Sequence, residues 1–208
     1  MNFAKQSMKE INKQFWAKQT ITNSSMLGGY DEINNVDIQQ SELFLLKNIQ
    51  QFNTLLELGA GVGRISEQLF TKYFKEIHLV EREAKFVNES KRKLSKFNCQ
   101  YYQMSVEEFE PSTHYDCIWI QWISMYLTDQ DFCNMLSKFK KTPIVLKENI
   151  SQQDYLYDEE DASITRSDRI YQNLIKQCGF QIMDQQFQEG LPNDIYKIKF
   201  YLLKHQEL

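Results

Sequence analysis

The segment Leu55-Leu-Glu-Leu-Gly-Ala-Gly-Val-Gly-Arg64 constrains this chain most, because an apolar run of strand character passes straight into glycines at 59, 61 and 63 and then into a helical pattern. Such a bend lets backbone N–H groups approach a ligand where a side chain would collide. The spacing is G-x-G-x-G followed by Arg64, so it fails the G-x-G-x-x-G dinucleotide fingerprint, and without Gly-Lys-Ser/Thr it is not a Walker loop. Around it, β-rich runs at 54–58, 77–80, 99–103, 117–121, 144–147, 180–187 and 196–203 alternate with amphipathic stretches. That rhythm predicts an α/β fold, a seven-stranded sheet with helices on both faces. The last two runs are joined by Gln188-Glu-Gly-Leu-Pro-Asn193, too short for a helix, and are expected to close the sheet as an antiparallel hairpin.

Helix signals punctuate the intervals. Thr128-Asp-Gln-Asp131 has capping-box spacing, and Phe132, Met135, Leu136 and Phe139 follow at helical period up to Pro143. A second stripe, Ile170, Leu174, Ile175 and Cys178, stops at Gly179. About fifty residues precede the first strand: a predicted helix at 8–16, a polar stretch, then Met26-Leu-Gly-Gly-Tyr30, placed to form a lid. The segment 151–161 carries Asp154, Asp158, Glu159, Glu160 and Asp161, and composition leaves a solvated acidic loop and a ligand surface equally open. The chain reads as a single domain over 1–208, with 1–50 the lid and 51–208 the core.

With 24 basic and 28 acidic residues the formal charge is −4, without a basic stripe, which argues against direct nucleic-acid binding and suits a basic peptide. No run approaches a membrane span, and the amino terminus lacks an apolar signal region. Cys99, Cys117, Cys133 and Cys178 contain no C-x-x-C pair, so no metal site is expected, and they are expected to be reduced thiols in a cytoplasmic or nuclear protein.

The glycine bend resembles motif I of class I S-adenosylmethionine-dependent methyltransferases, a Rossmann-like fold, with Glu57 as the acidic strand residue. Glu81, ending the next strand, stands where such a fold needs an acceptor for both ribose hydroxyls. More of the chain, from about Phe15 to Tyr201, resembles the protein α-N-terminal methyltransferases, which act on X-Pro-Lys/Arg termini. The resemblance rests on Phe15-Trp16, Met26-Leu-Gly-Gly-Tyr30, Val36-Asp-Ile38, the glycine motif, Asp116-Cys-Ile-Trp-Ile-Gln-Trp122, Leu127-Thr-Asp-Gln130, Lys147-Glu-Asn149, the acids at 158–161, and Leu191-Pro-Asn-Asp-Ile-Tyr196.

The resemblance implies that Gly59, Gly61, Arg64, Glu81, Val106 and Gln121 hold S-adenosylmethionine, with the adenine near Ser105, Val106 and Glu107. It places Trp16, Leu27, Gly28, Tyr30, Ile33, Trp122, Asn149, Asp158, Asp161, Ser163, Ile195 and Tyr196 around the peptide. Trp122 and its aliphatic neighbours would form a slot for a proline ring, and Asp158 with Asp161 would receive the basic third residue. Asn149 would orient the amine and Asp161 take its proton. The partner implied is the N-terminal segment of a substrate protein, bound by a monomer.

Three positions depart from the family pattern. Tyr126 stands where a histidine is usual, Phe15 where tyrosine is, and Glu81 where aspartate is. Tyr126 is a candidate member of the catalytic set, yet a phenol with a pKa near 10 is a poor proton acceptor at neutral pH. Two other readings therefore stay open: a methyltransferase-like peptide-binding subunit with weakened turnover, and a small-molecule N-methyltransferase.

Overall fold

The computed structural model describes residues 2–206, with side chains from residue 8 onward. In chain order the elements are α1 (Asn2–Lys18), α2 (Asn23–Met26), α3 (Asn34–Asn48), β1 (Thr54–Leu58), α4 (Arg64–Gln68), β2 (Glu76–Glu81), α5 (Ala84–Lys93) and β3 (Cys99–Gln103). There follow β4 (Cys117–Gln121), α6 (Asp129–Ser137), β5 (Ile144–Ile150), β6 (Tyr155–Tyr157), β7 (Ile164–Arg166), α7 (Asp168–Gln177), β8 (Phe180–Phe187) and β9 (Lys197–His205). Seven strands form one sheet in the order β3-β2-β1-β4-β5-β9-β8. The first five are parallel, while β9 runs antiparallel to β5 and to β8, so the closing hairpin forms as expected.

Strand alternation sends the side chains into two cores. Leu56, Leu58, Ile118, Ile120, Ile144 and Leu146 pack with Phe132, Met135 and Leu136 of α6 and Tyr171, Leu174 and Ile175 of α7. Leu55, Trp119, Val145, Phe200 and Leu202 pack on the other face with Phe44 and Leu45 of α3 and with Ile65, Leu69 and Phe70. Trp119 is therefore core. The Thr128 hydroxyl accepts the Asp131 N–H at 3.1 Å, which makes it the N-cap of α6.

The structure adds to or corrects three readings. Residues 34–48, to which the sequence pattern gave no element of their own, form α3, whose inner face carries Ile38, Phe44 and Leu45 while Leu43 and Leu46 stay exposed; this wide scatter of leucines hides the helical period. The acidic segment 151–161 contains β6, which pairs antiparallel with β7 beyond it, and leaves Asp158, Glu159 and Glu160 exposed at the turn. Cys133 and Cys178 are joined in a disulfide, with Cα atoms 5.2 Å apart, leaving Cys99 and Cys117 as free thiols. The two half-cystines are 45 residues apart, and only the side-by-side packing of α6 and α7 brings them together.

Candidate active site

Because the strands are parallel, β1 to β5 all end at one edge of the sheet, the usual ligand crevice of such folds. A cavity of about 930 Å³ lies there. At one end β1 bends through Gly59, Gly61 and Gly63 with φ of 74°, 54° and 73°, conformations open to glycine without strain. The glycine N–H groups of this bend are hydrogen-bonded within the protein. Gly59 and Ala60 donate to the Val80 carbonyl, and Gly61 donates to Glu81 Oε2 at 2.9 Å. A Cβ at Gly59 would overlap Ile123, and one at Gly61 would overlap the Met26 sulfur. The glycines thus let two protein side chains lie against the turn.

Glu81 is fixed from both sides, its Oε1 accepting the Glu83 N–H at 2.7 Å. Each oxygen keeps a further lone pair for a hydroxyl. Burial raises its carboxyl above the usual range. Ser105, Val106 and Glu107, after β3, line the same cavity, and Glu107 pairs with Lys9 of α1 at 2.8 Å. Glu57 also lines it; burial pushes its carboxyl to about 7 despite a hydrogen bond from Ser66.

Arg64 and Gln121 both reach the cavity, and both hang on Asp37 of α3. Arg64 Nη2 lies 2.7 Å from Asp37 Oδ2, and Gln121 Nε2 donates to Asp37 at 3.1 Å while its carbonyl accepts the Trp119 indole N–H. Lys147 of β5 is paired with the same carboxylate. Burial alone would raise the Asp37 carboxyl, but Lys147 and Arg64 outweigh it and hold it below the usual range. Burial draws Lys147 down to about 8. One buried carboxylate therefore faces two buried cations. Sequence reasoning assigned Asp37 and Lys147 no role, although a lysine within the apolar run Ile144-Val-Leu-Lys147 is a visible signal.

At the other end stand Trp122, Asn149, Asp161, Tyr126 and Trp16. Trp122, just past β4, has φ 54°, and its buried indole N–H has no hydrogen-bond partner among the described residues. Tyr126 donates to Asp161 Oδ2 at 3.0 Å, and its ring meets Trp16 edge-on at 5.9 Å. Burial keeps the Tyr126 phenol protonated well above its ordinary pKa. Helix α1 lies across the cavity: Asn12 donates to the Asp161 carbonyl and accepts from Arg82, and Lys85 Nζ donates to the Ala17 carbonyl at 2.8 Å.

Leu27, Gly28, Tyr30, Ile33, Ile195 and Tyr196 complete the lining. Asp158 and Ser163 do not reach the main cavity. They line a second one of about 470 Å³ which shares Met125, Asp161 and Tyr196 with the first. Ser163 shapes its acidic turn, donating its N–H to Asp161 Oδ1 and accepting from the Asp158 N–H.

This donor set fits S-adenosylmethionine: Glu81 as hydroxyl acceptor, Arg64 and Gln121 as polar contacts, and Val106 beside Met104 as an apolar wall. Comparison with known proteins agrees. The profile of the family described as AdoMet dependent proline di-methyltransferase matches residues 4–204. The chain belongs to this family. It is 33% identical to alpha N-terminal protein methyltransferase 1 of Arabidopsis thaliana over 91% of this chain and 76% of that one. It is 32% identical to N-terminal Xaa-Pro-Lys N-methyltransferase 1-A of Xenopus laevis, over 92% of this chain and 93% of the relative. A solved S-adenosylmethionine-dependent methyltransferase of Leishmania major superposes with a TM-score of 0.88 at 33% identity, covering 95% of this chain and 82% of that one. As a member of the family, the protein is an S-adenosylmethionine-dependent methyltransferase with the class I fold.

Proposed function

We propose that this proline di-methyltransferase family member methylates the free α-amine of polypeptides that begin X-Pro-Lys or X-Pro-Arg. The observation that carries the reading is the adjacency of the two cavities: Asp161 and Tyr196 line both, so an amine beside Asn149 leaves room for a third residue beside Asp158. The Trp122 face offers a flat apolar wall for the intervening proline ring.

Bound S-adenosylmethionine supplies an electrophilic methyl group on a sulfonium. The protein's task is alignment, which can supply much of the rate in such an in-line displacement. An α-amine with a reference pKa of about 7.7–8.0 is partly neutral at physiological pH, so no strong base is needed. The Asn149 side-chain carbonyl accepts one amine hydrogen and turns the lone pair toward the methyl. Asp161, oriented by Tyr126 and the Ser163 N–H, receives the proton lost from nitrogen. Tyr126 serves as donor to that carboxylate and not as the base.

The test is mass transfer to peptides beginning Ser-Pro-Lys and Ala-Pro-Arg. Methyl addition at the α-amine is expected, with Ser-Pro-Glu at least tenfold poorer because its charge opposes Asp158 and Asp161. Labelling of small amines alone would overturn the substrate class. Cofactor and peptide binding without product would instead point to the weakened peptide-binding reading that the Tyr126 departure raises.

A further inference from the structure

The turn after β4 bears on both halves of the site at once. Trp122 carries a left-handed backbone (φ 54°) that a bulky residue adopts only when its surroundings impose it. Ile123, next in line, lies on Gly59 of the glycine bend, and Tyr126 completes the turn with its hydroxyl on Asp161. Small shifts here would move the peptide slot, the cofactor bend and the proton acceptor together.

Two fully buried side chains, Glu148 and Arg166, hold this turn by its backbone. Glu148 of β5 lies between Lys147 and Asn149, and strand alternation sends it to the opposite face of the sheet. There its Oε1 accepts the N–H of Ile123 at 3.0 Å and that of Ser124 at 2.7 Å, while Oε2 is buried without a hydrogen-bond partner among the described residues. Arg166 of β7 takes the carbonyls: Nη1 donates to Ser124 at 2.9 Å and Nη2 to Leu127 at 2.6 Å, with Nε on Asp129. Neither residue lines the main cavity, and both are 0% exposed.

We infer that Glu148 and Arg166 are positioning residues for methyl transfer, a two-sided clamp that grips the N–H and C=O groups of the Trp122–Leu127 turn and so sets the distance between cofactor bend and peptide slot. The inference rests on the proposed reaction for its kinetic effect, but the clamp itself is measurable without turnover. In the wild-type protein the Ile123 and Ser124 amides exchange with deuterium at least a hundredfold more slowly than those at 158–161, and Glu148→Leu removes that protection.

With an X-Pro-Lys peptide, Glu148→Leu lowers kcat at least thirtyfold while the dissociation constant for S-adenosylhomocysteine changes less than threefold. Glu148→Gln keeps one oxygen for both N–H groups and restores kcat to within about fivefold of wild type. Arg166→Lys, lacking the fork that spans two carbonyls, does not restore what Arg166→Met loses. Unprotected Ile123 and Ser124 amides in the wild type would overturn the clamp even if no variant folds. So would a Glu148→Leu protein with normal kcat, or one losing cofactor affinity and kcat in equal measure. A wild type that leaves the peptide unmethylated but shows the protected amides removes the substrate assignment and leaves the clamp standing.

Discussion

Asp37 is the residue on which most buried charge depends. Its carboxylate touches both Lys147 and Arg64, and all three are shielded from water. Asp37→Asn strands two like charges in the interior and is expected to destabilise the fold by about 3–5 kcal/mol in urea denaturation. Lys147→Met leaves Asp37 neutralised by Arg64 and should cost about 1 kcal/mol or less; equal losses would mean that packing, not charge, dominates. Glu57 makes a pH-dependent contribution. Its folded pKa of about 7 lies above the ordinary 4.5, so the folded chain keeps a proton that the unfolded chain releases. That contribution is complete below the unfolded value and is lost as pH rises through 7, by about 3 kcal/mol. Glu57→Gln stays neutral throughout, so its melting temperature relative to wild type should climb by about 5–10 °C between pH 5 and pH 8. A constant difference across that range would refute the assignment.

Among the elements, α6 and α7 show how much a local pattern can convey. The capping spacing at Thr128 and the stripe ending at Gly179 predict both helices, since caps and periods are properties of neighbouring residues. The bond between Cys133 and Cys178 follows from packing and leaves no mark in the spacing. Reduction should lower the melting temperature by about 5–10 °C, in line with a crosslink worth about 2–4 kcal/mol, without dissolving either helix by circular dichroism. The β6–β7 hairpin was hidden for a different reason. Tyr155, Leu156 and Tyr157 are all exposed, so the period-two burial that betrays a strand is missing.

Across the whole molecule the cavity has two chemically distinct ends, and substitutions should separate them. Glu81→Ala removes the acceptor beside the glycine bend and is expected to weaken cofactor binding at least tenfold while peptide affinity holds. Asp158→Lys should do the reverse for peptides with a basic third residue, because only the peptide's charge is opposed. Calorimetric titration of each ligand checks both, and parallel loss would show that these acids serve folding alone. The sequence by itself determined the sheet, the glycine bend and the strand-ending acid at Glu81, because alternation, glycine bends and capping are written in short range, while the resemblance supplied most of the other residues that line the crevice. Only the tertiary structure decided that Asp37 joins Arg64, Gln121 and Lys147, that the glycine N–H groups are satisfied internally, and that Glu148 and Arg166 grip one turn by its N–H and C=O groups. Those partners are distant along the chain, and a buried charge shows its purpose only once the group that balances it is in place.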